Sequence, residues 1–261
     1  MGKLTEALRK AADERLERIE KINKIKTYDR LVIKKMGDSK VDPRVITYFD
    51  PKSPISEQYK ILRTNVLSLN KIKTNKVIVI TSAINTEGKT VTALNLSMTI
   101  AQSAQQPKVL VIDADMRRGR IARYLGVEHN VGLSDVLQGK ATLEEAIFKI
   151  DVENLNFIAS GPVPENPAEL LDSQKMKNLL GDLKRQFDYI IIDTPPIIAV
   201  TDSGILGAQV DGVIMVIQAG RTQRGIIKRA SELLHQCHAK VLGHVLTNIE
   251  YHLPQYIYRY L

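Results

Sequence analysis

From residue 76 onward the chain alternates short, continuously apolar runs with helical patterns, and this alternation limits the fold more than any other feature. The apolar runs lie at 77–81, 109–112, 155–159, 189–193, 212–217 and 240–246. Helical patterns at 88–102, 167–186 and 225–235 fall between them, and another at 56–69 precedes them, with Ser56 as its expected N-cap. A strand that is apolar on both faces needs cover on both faces, which implies a parallel sheet between two helical layers. The 261 residues are 44% hydrophobic and 25% charged, ordinary values that exclude disorder for the bulk of the chain. The single cysteine, Cys237, excludes an internal disulfide and any multi-cysteine metal centre.

The formal charge of +8 raises the question of a nucleic acid or an anionic membrane as partner. Its distribution argues against both. Residues 1–35 hold 11 Lys/Arg against 6 Asp/Glu, and the other 226 residues hold 26 against 23. The body is thus nearly neutral. Within the basic end, residues 3–26 read as a helix, with Leu4, Leu8, Leu16, Ile19 and Ile22 forming one apolar stripe among dense charges. Docking on its own domain, on a partner or in a coiled coil all remain open for it. Residues 36–56, with Gly37, Pro43, Pro51 and Pro54, read as a linker. The expected division is a charged helix at 1–35, that linker, a main α/β domain at 57–250 and a tail at 251–261. No run approaches the roughly 20 apolar residues of a membrane-spanning helix, and there is no apolar leader, so the expected location is cytoplasmic.

The chemistry is expected where strands end. After the first strand comes Ser82-Ala83-Ile84-Asn85-Thr86-Glu87-Gly88-Lys89-Thr90. It matches the P-loop pattern G-x-x-x-x-G-K-[ST] except for Ala83 in place of the first glycine. Backbone N–H groups and a helix N-terminus would face an anion there. Lys89 would reach the phosphates and the Thr90 hydroxyl a Mg²⁺ ion. The second strand ends in Asp113-Ala114-Asp115-Met116-Arg117, and the run at 189–192 ends in Asp193. Ligands of open parallel sheets lie beyond the carboxyl ends of the strands. Three carboxylates therefore meet the phosphate loop, where they can hold a hard cation or accept a proton. Asp113 and Asp115, two residues apart, would share one face of a regular strand.

These segments resemble the bacterial tyrosine kinases, the P-loop kinases of capsule and exopolysaccharide synthesis, over about residues 44–261. The resemblance rests on T-S-A-I-N-T-E-G-K-T as Walker A, V-L-V-I-D-A-D-M-R as Walker A′ and Y-I-I-I-D-T-P-P as Walker B. It extends through 131–139, 161–171 and 211–222. The family usually has proline at Asn85 and often glycine at Thr86. The resemblance implies an α/β P-loop NTPase fold, here with an N-terminal helical extension, and an ATP- and Mg²⁺-dependent tyrosine autokinase. Thr86, Glu87, Gly88, Lys89, Thr90 and Val91 would surround the phosphates. Arg117 would meet a phosphate and Asn248 the adenine. Thr90, Asp115 and Asp193 would serve the metal, with Lys89, Asp113 and Asp115 as the catalytic set. Asp113 is the candidate to orient or deprotonate the incoming hydroxyl, although the order of roles between it and Asp115 stays open. The family's E-x-x-R-x-x-R self-association element falls on Glu57, Lys60 and Arg63, with lysine replacing the first arginine.

The tail supports the same reading independently. Four of the nine tyrosines, Tyr251, Tyr256, Tyr258 and Tyr260, lie in the last 11 residues, where a neighbouring subunit's active site could modify them. The resemblance further implies homo-oligomers, a phosphotyrosine phosphatase, and a transmembrane chain-length-determinant activator. That activator is expected as a separate polypeptide holding the kinase at the inner face of the membrane. The competing reading is a positioning or partition ATPase acting as a switch. Those proteins carry a lysine where this chain has Ile84. Iron-protein reductases need more cysteines, and neither H-R-D nor D-F-G is present for eukaryotic-type kinase chemistry. With a near-neutral body, no nucleic-acid partner is expected.

Overall fold

The computed structural model describes residues 40–68, 76–128, 131–150 and 152–249. The expected helix at 3–26 and the four tail tyrosines lie outside the described residues. The first half holds α1 (Ile46–Phe49), α2 (Pro54–Ser68), β1 (Lys76–Ser82), α3 (Lys89–Ala101), β2 (Val109–Asp113), α4 (Ile121–Leu125), α5 (Leu133–Gln138) and α6 (Leu143–Ala146). Then come β3 (Ile147–Lys149), β4 (Leu155–Ile158), α7 (Pro167–Asp172), α8 (Gln174–Lys184), β5 (Tyr189–Asp193), α9 (Asp202–Gly207), β6 (Gly212–Gln218), α10 (Arg224–Gln236) and β7 (Val241–Thr247).

The seven strands form one sheet in the order β3-β4-β2-β5-β1-β6-β7. Every pairing is parallel except β3 with β4. This is the α/β, mostly parallel sheet expected from the apolar runs. Alternation along the strands divides the interior into two cores. Val77, Val79, Leu110, Ile112, Ile190 and Ile192 face one side, under α7 to α10. Ile78, Ile80, Val109, Val111 and Ile191 face the other, under α3. β1 lies centrally, between β5 and β6, so its carboxyl end opens at the middle of the sheet edge.

Three expectations are corrected. The stretch read as a linker, 36–56, is packed structure in its described part. Val41 and Val45 are buried, and α1 lies against α3. Its anchor is Asn95, fully buried in α3, whose Oδ1 accepts from Thr47 N at 3.0 Å and Thr47 Oγ1 at 2.9 Å. Asn95 Nδ2 donates to the carbonyls of Arg44 and Val91. With α1 and α2 outside it, α3 is buried on nearly all sides, which the helical pattern at 88–102 did not reveal. Second, the cap of α2 is Ser53 rather than Ser56. Ser53 Oγ accepts from Ser56 N, Pro54 occupies the first helical position, and Ser56 Oγ donates to the Asp50 carbonyl. Third, the helix expected at 167–186 is two helices. Ser173 is extended, and its hydroxyl caps α8 by accepting from Met176 N.

Replacing Asn95 with alanine would orphan buried groups of Thr47 and Arg44. The expected loss of folding stability is on the order of 2–3 kcal/mol, read from denaturant unfolding. An unchanged midpoint would show that residues 41–49 are not held by this contact.

Candidate active site

β1 ends in Thr81 and Ser82, and the chain turns through residues 83–88 into α3. Ala83 is fully buried in the core and keeps a negative φ, so alanine serves where the P-loop pattern writes glycine. The left-handed backbone falls on Thr86 (φ 65°) and on Gly88 (φ 93°), the N-cap of α3. A β-branched residue rarely adopts that conformation. Thr86 is held there from outside the loop, its Oγ1 2.5 Å from Arg221 Nη1.

Glu87 acts in a way its place in the motif did not disclose. Its carboxylate is buried beneath the loop. Oε2 accepts from Ile84 N at 2.7 Å, and Oε1 accepts from Gln218 N at 3.1 Å and Thr222 Oγ1 at 2.5 Å. Thr247 Oγ1 donates to the Glu87 carbonyl at 2.7 Å. The side chain thus braces the loop against the ends of β6 and β7, and only its backbone is left for phosphates.

Lys89 lies across the carboxyl ends of the neighbouring strands. Its Nζ is 3.1 Å from Asp115 Oδ2 and 3.7 Å from Asp193 Oδ1. Burial pulls its pKa down, but the Asp193 and Asp115 carboxylates outweigh burial and hold the ammonium above its ordinary value. Thr90 Oγ1 donates to Asp193 Oδ2 at 2.5 Å, while the buried Asp193 Oδ1 has no hydrogen-bond partner. A hydroxyl beside an orphaned, buried carboxylate oxygen is a donor set suited to a hard cation that keeps waters and phosphate oxygens as its other ligands.

Asp113 and Asp115 divide differently from the expectation of one shared face. Asp113, paired in register with Asp193, is buried behind the site. Its Oδ2 accepts from Arg120 N at 2.7 Å and Ile121 N at 2.9 Å, and its Oδ1 from Asp115 N at 3.2 Å. Burial first, and the Asp193 carboxylate second, push it up to about 7. Asp115 instead stands on the wall of the cavity beside Lys89.

That cavity is about 50 Å³ and is also lined by Thr86, Gly88, Thr90 and Val91. At roughly 10–15 Å³ per water it has room for a few waters or a phosphate group. Arg117 is not on its wall; its Nε lies 3.4 Å from the buried Asp202 of α9. Arg118, Arg120 and Tyr124 are, although no motif marks them; the two arginines lie three and five residues beyond Asp115. Asn248, at φ 53°, directly follows β7 beside the tether from Thr247 to Glu87 and outside the cavity. On α2, Lys60 pairs with Glu57 at 2.7 Å, and Arg63 donates to the Thr99 carbonyl of α3 at 2.8 Å.

Known proteins share this arrangement. Residues 75–240 match the model of an AAA domain family. The tyrosine-protein kinase YwqD of Bacillus subtilis (strain 168) is 40% identical over 216 residues, 83% of this chain and 90% of that protein. This chain belongs to the bacterial tyrosine kinases. The putative tyrosine-protein kinase CapB of Staphylococcus aureus is 37% identical over 76% of the chain and 86% of its own length. Among solved structures, the kinase domain of the Escherichia coli tyrosine kinase ETK superposes with a TM-score of 0.76. It is 30% identical and covers 84% of this chain and 86% of that one. The cell division ATPase MinD of Pyrococcus furiosus shares the P-loop fold more distantly, with a TM-score of 0.56, 27% identity and 66% and 71% coverage. The switch-ATPase reading is the weaker one, and the kinase carries its nucleotide loop on a mostly parallel sheet as expected.

Replacing Glu87 with alanine would leave Ile84 N, Gln218 N and Thr222 Oγ1 without their acceptor. The expected cost is on the order of 2–3 kcal/mol in denaturant unfolding, with weakened nucleotide binding in titration. Unchanged nucleotide affinity would disconnect the brace from the shape of the loop.

Proposed function

We propose that this tyrosine kinase transfers the γ-phosphoryl group of ATP to tyrosines in the C-terminal tail of a neighbouring copy. The observation that carries the reading is Lys89 set between Asp115 and Asp193, with an orphaned Asp193 oxygen beside the Thr90 hydroxyl. The loop N–H groups and Lys89 would hold the phosphates, and Thr90, Asp193 and Asp115 would hold a Mg²⁺ ion. Mg²⁺ supplies charge neutralisation for the phosphate oxygens. Phosphoryl transfer depends chiefly on positioning and neutralisation, and this chain's residues supply both. The acceptor phenol oxygen forms a bond to the γ-phosphorus as the bond to the bridging oxygen breaks. The phenolic proton passes to the pocket-facing Asp115, and Asp113 acts as the residue that positions the loop at 115–121. Asn248 lies next to the loop on the β7 side, where an adenine extending out of the small cavity would pass.

The tail acceptors are Tyr251, Tyr256, Tyr258 and Tyr260, and the self-association element is Glu57, Lys60 and Arg63. Exposed Ile55 and Ile61 on the same helix are consistent with a covered face in an oligomer. Control of capsule or exopolysaccharide synthesis would run through a transmembrane activator on a separate chain, with a phosphatase reversing the modification. No helix among the described residues is long and apolar enough to cross a membrane. Attachment to the membrane's inner face through that partner is part of the same proposal.

The test compares wild type, Lys89→Met and a variant with the four tail tyrosines changed to phenylalanine, each incubated with Mg-ATP. Phosphotyrosine detection and intact mass are the readouts. Wild type should gain phosphate. Lys89→Met should lose about 100-fold or more in rate, the scale of removing one preorganised charge-stabilising donor. The phenylalanine variant should hydrolyse ATP without labelling. Wild type that hydrolyses ATP but never gains phosphate, even with an activator fragment, would return the switch reading. Equal labelling of the phenylalanine variant would remove the tail as target.

A further inference from the structure

A second opening lies on the same sheet edge as Lys89, and nothing in the nucleotide chemistry uses it. It is a cleft of about 490 Å³ between the start of α5 and the loop joining β4 to α7. Its walls are fixed by the backbone. Leu133 N donates to the Ala159 carbonyl, Ser134 N to the Ser160 carbonyl, and Ser134 Oγ to the Pro162 carbonyl. Pro162, Pro164 and Pro167 restrict the facing loop further. The cleft is therefore formed before anything enters it.

One loop links the cleft to the active site. A Cβ added at Gly119 would lie 3.1 Å from Asp113 Oδ2 and 2.1 Å from Ser160 Oγ. One added at Gly161 would lie 2.5 Å from Ser134 Oγ and 2.9 Å from Asp135 Oδ2. The loop at 117–120, whose Arg118 and Arg120 line the nucleotide cavity, thus packs against Ser160, at the start of the loop that goes on to wall the cleft. β4 is three strand positions from β1, about 14 Å at the usual strand spacing.

The chemistry of the walls selects an occupant. Glu165, Glu169 and Asp135 supply three carboxylates against one ammonium, Lys140, and Val163 with Leu170 offers an apolar surface. Val163 is 69% exposed, the most open large apolar side chain among the described residues. The matching segment is the tail. Residues 251–261 contain Arg259 and no acidic side chain, with Ile257 and Leu261 on either side of that arginine. In an extended segment, Ile257, Arg259 and Leu261 share one face while Tyr256, Tyr258 and Tyr260 share the other. One face can hold while the other presents acceptor hydroxyls.

We propose that this cleft is the docking site for the tail of a second copy of the chain, with Arg259 on the Glu165 and Glu169 carboxylates and Ile257 or Leu261 against Val163 and Leu170. The inference rests on the kinase reading above and adds to it the surface that selects the acceptor. The second copy is favoured by where the chain leaves the fold. β7 is at the opposite edge of the sheet, five strand positions or about 24 Å from β4. The chain's own tail, about 33 Å from residue 249 to Arg259 when extended, could span that distance only by running across the phosphate loop that ATP must occupy.

The test separates enzyme from acceptor. The enzyme is the full chain with its four tail tyrosines changed to phenylalanine; the acceptor is full-chain Lys89→Met with a native tail. Glu165→Arg with Glu169→Arg is placed in one copy at a time. In the enzyme copy it should raise the KM for acceptor about tenfold or more, as expected for like charges facing across a contact. The KM for ATP and basal ATP hydrolysis should stay unchanged. In the acceptor copy it should do nothing. Arg259→Glu in the acceptor should reproduce the defect, and the combination of both reversals should restore transfer. Equal loss from either copy, a shift in the KM for ATP, or no loss at all would overturn the docking site. A synthetic peptide of residues 250–261 provides a readout independent of catalysis, by fluorescence anisotropy on full-chain Lys89→Met. Peptide binding that Glu165→Arg with Glu169→Arg abolishes supports docking even if no phosphate transfers, in which case only the kinase target falls. Transfer with no peptide binding, or with binding indifferent to the reversal, overturns docking and leaves the target standing. Normal tail transfer combined with lost stimulation by an activator fragment would assign the cleft to the activator instead.

Discussion

Three buried carboxylates share one lysine, and much of the active site follows from that imbalance. Asp113, Asp115 and Asp193 come together because β2 and β5 are neighbours and β5 pairs with β1, whose loop carries Lys89. Burying like charges this close is costly, and the molecule offsets the cost in different ways at each. Asp113 takes three backbone N–H donors and is pushed toward neutrality. Asp115 has the ammonium, and Asp193 has a hydroxyl on one oxygen and nothing within hydrogen-bonding distance on the other. The unmet need is local, at the buried Asp193 oxygen, where a cation arriving with a ligand's phosphates would supply the missing partner.

Much of this was readable from the residues. Parallel strands are apolar on both faces, so their runs stand out, and the three strand-end motifs follow them at once. The helices that escaped were short, such as Leu133–Gln138 and Asp202–Gly207, which offer too few turns for a period to appear. The antiparallel edge strand Ile147–Lys149 has three residues and no alternation to detect. The packing of residues 41–49 was hidden because its specificity lies in one amide, Asn95, 48 residues from Thr47. Pro43 and Pro51 suggested a free linker when they only bend a segment that is fastened elsewhere.

The site shows a similar division. Lys89, Thr90 and Asp193 meet as the motif requires, since local geometry and strand order suffice to bring them together. Glu87 and Arg221 were opaque, because their partners are decided by tertiary structure. The substitution of Ala83 for glycine also finds its explanation. The left-handed turn is carried by Thr86 and Gly88, so the first position needs only a small apolar side chain that fits the core.

The brace under the nucleotide loop has a consequence for how the protein is made. Glu87 reaches Gln218 and Thr222, which follow it by 131 and 135 residues, and Thr86 is held by Arg221. A chain emerging from the ribosome carries its complete Walker A sequence long before those partners exist. The loop therefore takes its final shape only after β6 has been translated and added to the sheet. Until then the growing chain has the letters of a nucleotide site without the clasp that shapes it, so a fragment ending before residue 218 would lack the braced loop however complete its motif.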